Sequence, residues 1–141
     1  MTAYKKIFLD TAPVIYYLEG IQPYYSIIRD IIFGGLKSGA GFYTSTVTNT
    51  EYLVVPFREK NLLKIGNFET FKKLLTVNVT DIDDKISITA AKIRAAYSSI
   101  KGMDALQVAA CIETGCDVFV TNDKQLLHIS EINPVLISGE N

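Results

Sequence analysis

Cysteine and histidine are scarce in this 141-residue sequence, which has two cysteines and one histidine. Two cysteines are too few for a disulfide framework, and with a single histidine they cannot complete a usual four-ligand zinc site. We therefore expect Cys111 and Cys116 to be small buried side chains, as free cysteines often are. His128 stands alone near the carboxyl terminus, and we expect a surface residue outside any Ser-His-Asp or Cys-His arrangement.

The sequence also lacks long apolar runs and a large excess of either charge. No stretch approaches the roughly 20 apolar residues of a membrane span, and no apolar signal region is present at the start. We expect a soluble, cytoplasmic protein. The formal net charge is −1, so composition gives no sign of a strongly basic surface and leaves the class of substrate open.

What is present is typical of one globular domain over residues 1–141. Hydrophobic residues make up 48% of the chain and charged residues 21%, which fits an ordinary folded protein. The length is close to the usual size of a single domain and allows a core without disulfides or a structural metal. We find no linker, internal repeat or low-complexity segment.

Strand patterns and helix patterns alternate along the chain. The predicted strands are the apolar run that ends at Asp10, followed by 41–44, 77–80, 117–121 and 134–137. Helical spacing of apolar residues fills the segments between them. This alternation predicts an α/β fold with a mostly parallel sheet of four or five strands and helices on both faces.

Three predicted helices differ in how their apolar residues are spread. Helix 62–75 should point these side chains inward: Phe68, Phe71, Leu74 and Leu75. The helix capped by Asp83 or Asp84 should bury another set: Ile86, Ile88, Ala91, Ile93 and Ala95. The segment from Asp104 to Gly115 is apolar almost all round, which predicts the most buried helix.

Four acidic residues lie where predicted strands end or the next helices begin. Asp10 ends the first strand, and Glu51 lies in the opening turns of the helix after the second strand. Asp104 opens the most buried helix, and Asp123 follows the strand that ends at Thr121. Ligands of open α/β sheets bind beyond the carboxyl ends of the strands. We therefore expect these four carboxylates to share one edge.

Each acid also has a purely structural interpretation. These are a helix cap for Asp10 ahead of Pro13, a capping box of Thr48 with Glu51, a similar pair of Asp104 with Gln107, and a turn at Asp123. Such interpretations explain the acids one at a time. They do not predict that all four fall at the same edge.

Carboxylates gathered in one crevice repel one another, so a positive charge must compensate. With one histidine and no usable cysteine, a hard cation with oxygen ligands, Mg²⁺ or Mn²⁺, is the natural candidate. A pair of such ions would suit a nuclease that activates water and stabilises the leaving oxygen. We predict that the metal ligands, which are also the catalytic residues, are Asp10, Glu51, Asp104 and Asp123.

The remaining acids fit a metal site less well. Asp117 begins its strand, so at about 3.3 Å per residue it should lie on the order of 13 Å from Thr121, towards the opposite edge. The acidic group at 81–84 precedes a helix, where capping and turn formation are expected. Glu19 and Asp30 fit solvated helix faces.

Two other classes of function are compatible with the acidic crevice. One is a binding or regulatory module that keeps the fold without catalysis. The other is a phosphatase that forms an aspartyl-phosphate on Asp10. Enzymes of that haloacid-dehalogenase type usually have a second Asp two residues later, whereas this chain has Ala12, which disfavours the phosphatase.

In order and spacing, four segments resemble the PIN-domain nucleases, and among them the VapC-type toxins of type II toxin-antitoxin pairs. The segments are Leu9-Asp10-Thr11, Thr44-Ser45-Thr46 followed by Glu51, 104–110, and Thr121-Asn122-Asp123. The resemblance spans nearly the whole chain, and its specificity comes from the four-part order, since no single motif is distinctive.

This resemblance implies a single PIN-like domain with three α/β/α layers and an Mg²⁺- or Mn²⁺-dependent endoribonuclease acting on RNA. By motif match, Asp10, Glu51, Asp104 and Asp123 would form the acidic quartet, with Thr121 as a supporting hydroxyl. It also implies a homodimer and a cognate antitoxin. A short upstream gene with a DNA-binding amino-terminal segment would favour the toxin, whereas its absence would favour an RNA-processing nuclease without an antitoxin.

Basic residues that could form a track for RNA are few and scattered. Examples are Lys37, Arg58, Lys60, Arg94 and Lys101. The sequence therefore supports the metal site more strongly than it supports a particular substrate.

Overall fold

Five parallel strands form one sheet in the computed structural model, which describes residues 3–138. The strands are β1 (Lys6–Leu9), β2 (Gly41–Ser45), β3 (Asn78–Thr80), β4 (Val118–Thr121) and β5 (Pro134–Leu136). Their order across the sheet is β3-β2-β1-β4-β5, and all neighbouring pairs are parallel. The predicted α/β class is confirmed.

Six α-helices and a short 3-10 helix connect the strands. They are α1 (Thr11–Glu19), α2 (Tyr24–Ser38), α3 (Thr46–Arg58), α4 (Leu62–Leu74), α5 (Asp84–Ala96), α6 (Gly102–Thr114) and the 3-10 helix Lys124–His128. Pro56 lies inside α3, which continues to Arg58, so the proline does not end the helix. None of the helices in residues 3–138 has the length and apolarity needed to cross a bilayer.

The alternation of side chains along β1 divides the interior into two cores. Ile7 and Leu9 pack with α1, α2, α3 and α4 on one face of the sheet. Phe8 points to the other face, where it packs with α5 and α6 and stacks on Phe119 with ring centroids 5.3 Å apart. Helices therefore cover both faces, which confirms the predicted three layers.

The strand order changes direction beside β1. The chain passes from β1 to β2 and β3 on one side and then returns to β4 on the other side. A crevice opens at such a switch point, beyond the carboxyl ends of the two strands. The N–H of Asp10 donates to the carbonyl of Val120 at 3.0 Å, so the end of β1 is tied to β4 where that crevice begins.

Part of the predicted inward face of α4 and α5 is wrong. Leu74 is 77% exposed and Ile88 is 51% exposed, and Ala91 and Ala95 are also exposed. In α5 the buried positions are Ile86, Ala90 and Ile93, a stripe spaced by four and three residues. Ile88, Ala91 and Ala95 lie off this stripe. Leu74 is similarly off the stripe that Phe68 and Phe71 define in α4.

The prediction for the two cysteines holds for one of them. Cys111 is buried within α6, whereas Cys116 is only partly buried. Gly115 ends α6 in the left-handed conformation, with φ of 70°. This turn places Cys116 between the helix and β4. Six residues of α6 are buried, more than in any other helix of the described chain, as its composition predicted.

Candidate active site

Asp10 lies at the carboxyl end of β1 and is only 8% exposed. Its Oδ1 accepts a hydrogen bond from the Thr11 N–H at 2.9 Å, which caps α1. Its Oδ2 accepts from the Thr121 hydroxyl at 2.8 Å, and Oδ1 also lies 3.4 Å from Nε2 of Gln107. The capping interpretation is therefore correct, but it accounts for only one of these three contacts.

Burial raises the pKa of Asp10 from its usual value of 3.8 to about 6. The hydrogen bonds from the Thr121 hydroxyl and the Thr11 N–H stabilise the carboxylate and oppose that rise. The negative charges of Asp104 and Glu51 add to it. Asp10 is thus a buried carboxylate whose ionised form needs compensation by a positive charge.

Glu51 lies in the second turn of α3 and is exposed. Its Oε1 accepts a hydrogen bond from the Thr11 hydroxyl at 2.7 Å. Because the N–H of the same threonine binds Asp10, Thr11 holds both acids. The capping box proposed for Glu51 is wrong: the cap of α3 is Ser45, whose hydroxyl accepts from the Val47 N–H at 3.1 Å.

Asp104 lies in the first turn of α6 and is partly buried. Burial raises its pKa, the charges of Asp123 and Glu51 raise it further, and Lys101 lowers it. The capping pair of Asp104 with Gln107 is also wrong, since the cap position of α6 is Lys101 and no side chain bonds there. The side chain of Gln107 instead points into the interior.

Asp123 follows β4 and caps the 3-10 helix by accepting from the Gln125 N–H at 3.0 Å. Its own N–H donates to the Thr121 hydroxyl at 3.1 Å. The turn interpretation is thus correct. It does not exclude a role in the site, because the charge of Asp123 also raises the pKa of Asp104. The Thr121 hydroxyl connects the backbone of Asp123 to the carboxylate of Asp10.

The electrostatic effects among these residues place all four predicted acids at one edge. Asp104 and Glu51 each raise the pKa of Asp10, and Asp123 and Glu51 raise that of Asp104. Across residues 3–138, no three His, Cys, Asp or Glu side chains form a group that could hold a metal ion. The donor set is nevertheless chemically suited to a hard cation, because all four predicted ligands supply carboxylate oxygens. Their roles as ligands stay predictions.

A buried polar network lies directly beneath the acids, and the sequence analysis did not predict it. Oε1 of Gln107 accepts a hydrogen bond from the Ser45 hydroxyl at 2.6 Å. Nε2 of Gln107 donates to the hydroxyls of Thr48 at 2.8 Å and Thr11 at 3.2 Å. Thr48 also lies 2.8 Å from the Thr44 hydroxyl. The signals were the polar run 44–48 and one amide in an otherwise apolar helix.

The acids predicted to be structural lie outside the site. Asp117, at the start of β4, accepts from the backbone N–H groups of Lys5 at 2.8 Å and Lys6 at 2.9 Å. It therefore binds the chain at the opposite edge of the sheet. Asp83 caps α5 by accepting from the Ile86 N–H at 2.9 Å. Both predictions are confirmed.

The other excluded side chains lie at the surface. Glu19 forms an ion pair with Lys64 at 3.1 Å, and Asp30 pairs with Arg29 at 3.3 Å. His128 is exposed at the end of the 3-10 helix, as its isolation in the sequence predicted. None of them contacts the four acids.

Comparison with known structures agrees with this topology. The chain is similar to one in VapBC2 from Rickettsia felis bound to a promoter DNA fragment, with 14% identity, a TM-score of 0.74, and 93% of this chain and 98% of that chain covered. A chain of VapBC-1 from nontypeable Haemophilus influenzae has 19% identity, a TM-score of 0.73, and coverage of 94% and 98%. These likenesses concern the fold.

A third similar chain belongs to a toxin-antitoxin complex from Klebsiella pneumoniae, with 18% identity, a TM-score of 0.65, and coverage of 93% and 97%. No curated protein matches the sequence significantly. The sequence profile of the PIN domain matches residues 7–132, a span that includes all four acids and the whole polar network. This chain therefore belongs to the PIN domain family.

Proposed function

We propose that this protein is an Mg²⁺- or Mn²⁺-dependent endoribonuclease that hydrolyses phosphodiester bonds in RNA. The observation that carries the proposal is the mutual influence of the four acids, in which burial and neighbouring carboxylates raise the pKa of Asp10 and Asp104. Carboxylates gathered in this way repel one another, and a cation among them would relieve that repulsion. PIN domain membership supports a nuclease role.

We propose Asp10, Glu51, Asp104 and Asp123 as the residues that hold the metal. Asp10 is fixed through both carboxylate oxygens, and a pKa of about 6 leaves it mostly ionised at neutral pH. Glu51 and Asp104 are more exposed and lie where a substrate can approach. When bound, the metal would polarise a phosphate oxygen and lower the pKa of a water molecule.

The residues around the acids fix their orientation. The Thr121 hydroxyl donates to Asp10, and the Thr11 hydroxyl donates to Glu51. Because each hydroxyl has a single proton, Thr11 can only accept in its contact with Thr48 while it donates to Glu51. These bonds fix the orientation of two of the four carboxylates.

We further propose that the protein is the cytoplasmic toxin of a toxin-antitoxin pair, that it forms a homodimer, and that its partner is a cognate antitoxin. The likeness to chains of VapBC and of a toxin-antitoxin complex supports this partner. The neighbouring gene provides an independent check. A short upstream gene with a DNA-binding amino-terminal segment agrees with the proposal, and its absence favours an RNA-processing nuclease.

The test of the catalytic proposal is cleavage of mixed RNA with Mg²⁺ or Mn²⁺. Asp10→Asn and Asp104→Asn should each abolish metal-dependent cleavage while the protein stays folded. Asp30→Asn is the matched control, since Asp30 lies on α2 at the surface, and it should cleave as the unmodified protein does. Residual cleavage in the Asp10→Asn and Asp104→Asn preparations would measure contaminating ribonucleases. Equal activity in all four proteins would refute the proposal.

A folded protein that binds a partner but shows no metal-dependent turnover on RNA would instead identify a binding or regulatory module. That outcome separates the two classes of function, because partner binding by such a module should survive Asp10→Asn. A phosphatase that forms an aspartyl-phosphate on Asp10 is disfavoured, because Ala12 stands where such enzymes usually have a second Asp.

A further inference from the structure

A groove of about 770 Å³ opens directly beside the acidic site, between α5 and the start of α6. Glu51 and Asp104 are in its lining, so it is continuous with the site. Arg94, Lys101 and Met103 are also in its wall. The volume lies within the roughly 300–1,000 Å³ of typical ligand pockets. Metal binding by the acids does not account for the basic side chains of this groove.

Neither of the two basic side chains of the groove forms an ion pair in the described part of the chain. Within residues 3–138, every ion pair involves other cations, namely Arg29, Lys64, Lys72 and Lys85. A Cβ atom added at Gly102 would lie 3.8 Å from Nη1 of Arg94, so the guanidinium reaches the first residue of α6. Lys101 is close enough to Asp104 to lower its pKa. Both cations therefore lie next to the proposed reaction centre.

The surroundings of these cations favour an anion. Lys101 gives α6 no side-chain cap, and the first N–H groups of a helix have no partner within the helix. They add partial positive charge beside the two side chains. Met103 is 39% exposed and offers an apolar surface next to them. The lining thus combines positive charge that suits a phosphate, an apolar surface that suits a base, and two of the acids of the site.

We propose that this groove binds the RNA strand next to the bond that is cut, with Arg94 and Lys101 contacting a backbone phosphate. This inference rests on the proposed ribonuclease function and deepens it. The sequence suggested no basic track because Arg94 lies in α5 and Lys101 precedes α6, seven positions further along the chain. The packing of α5 against α6 brings them together.

The sharper variant is Arg94→Gln, because Arg94 lies in α5, a helix that carries none of the four acids. Arg94→Gln should therefore raise KM for RNA cleavage roughly tenfold, the loss expected for one charge-assisted bond, with kcat unchanged. Lys101→Gln should raise KM by a similar factor, because Lys101 is in the wall of the same groove.

Matched controls are available far from the groove. Arg58 lies at the end of α3, and Lys73 lies in the last turn of α4. Both are exposed. Arg58→Gln and Lys73→Gln remove the same charges and should leave KM as in the unmodified protein. They separate a local phosphate contact from a general effect of net charge.

Binding without cleavage is measured in EDTA with a short, fluorescein-labelled, single-stranded oligoribonucleotide. Each groove variant should bind roughly tenfold more weakly. Each should also reduce the slope of log affinity against log salt concentration by about 0.7, the value for one phosphate contact on a single strand. The unmodified protein and the two controls should share one slope.

The outcomes distinguish this inference from the function on which it rests. If the unmodified protein cleaves RNA, but both groove variants match the controls in KM, affinity and salt slope, the groove proposal is overturned and the ribonuclease stands. If the unmodified protein neither binds nor cleaves RNA, the proposed function falls, and the groove proposal falls with it. If a decaglutamate peptide binds through Arg94 and Lys101 and the RNA does not, the groove is a protein-docking site and the proposal is also overturned.

Discussion

The Thr121 hydroxyl donates to Oδ2 of Asp10 at 2.8 Å, although 111 positions separate the two residues in the chain. Both lie at the carboxyl ends of neighbouring strands, and the pairing of Leu9 with Val120 sets their register. Thr121 is fully buried, so water cannot replace its hydroxyl. This bond opposes the rise in the pKa of Asp10 that burial causes.

Removal of this hydroxyl should raise the pKa of Asp10 above its value of about 6. Thr121→Val keeps the shape of the side chain but leaves the carboxylate without its donor, so the ionised form loses stabilisation. Thr121→Ser keeps the hydroxyl and should leave the pKa near its original value. An NMR titration of the aspartate carboxyl carbons in EDTA measures both. An unchanged pKa in Thr121→Val would contradict the role given to this bond.

Asp10 should also make stability depend on pH. Its pKa is about 3.9 in an unfolded chain and about 6 in the folded protein, so the folded state binds the proton more tightly. Stability from this group is therefore fully present below about pH 4 and is lost as pH rises through about 6. A difference of about two pKa units corresponds to a loss of about 3 kcal/mol at neutral pH.

In EDTA, Asp10→Asn should therefore be more stable than the unmodified protein at pH 7.5, by up to about 3 kcal/mol. The gain should shrink at about pH 3, where the carboxyl is largely protonated in both states. Urea unfolding at the two pH values measures the free energies. The control Asp30→Asn, at an exposed position, should show no such pH-dependent gain. A loss of stability in Asp10→Asn at pH 7.5 would contradict the raised pKa.

The sequence was sufficient for the sheet edge because strand ends are local features. A carboxylate after β1 and a threonine at the end of β4 must meet once the two strands pair in parallel. The contact of Gln107 with Ser45 and Thr48 was not predictable in this way. It depends on the rotation of α6 about its own axis, and an almost uniformly apolar helix does not reveal that rotation.

The same limit explains the errors in α4 and α5. Both helices have apolar residues beyond the buried stripe, so several choices of inward face fit their sequences. Packing selects Ala90 over Ile88 in α5. The exposed Glu51 shows a related limit: its hydrogen bond from Thr11 requires that α1 and α3 begin side by side. That placement is a property of the fold.

Gln107 should stabilise the protein through the polar network. Gln107→Leu would remove the acceptor of the Ser45 hydroxyl and the amide that donates to Thr48, and an unsatisfied buried group costs about 1–3 kcal/mol. The four acids themselves would remain, so KM for RNA should stay nearly constant. Asp10 would lose its contact with the Gln107 amide, so kcat should fall. Gln125→Leu is a surface control, and its unfolding free energy should change by no more than about 0.5 kcal/mol. Unfolding in urea and steady-state cleavage are the two measurements, and equal stability of both variants would contradict the network's role.

Two adjacent glycines of α2 should respond to alanine in opposite directions. A Cβ at Gly35 would lie 2.8 Å from Cζ of Phe42 and 2.9 Å from Cδ1 of Ile7, whereas a Cβ at Gly34 would meet nothing within 4 Å.

Gly34→Ala should stabilise the protein by about 0.5–1 kcal/mol, because alanine favours the helix. In Gly35→Ala the same gain is opposed by overpacking, which typically costs about 1–3 kcal/mol. Because Phe42 and Ile7 are buried in β2 and β1, either their side chains or the helix would have to shift. Urea unfolding should therefore rank Gly34→Ala above the unmodified protein and Gly35→Ala below it, and equal gains in both would show that α2 does not pack as closely on the sheet as these distances require.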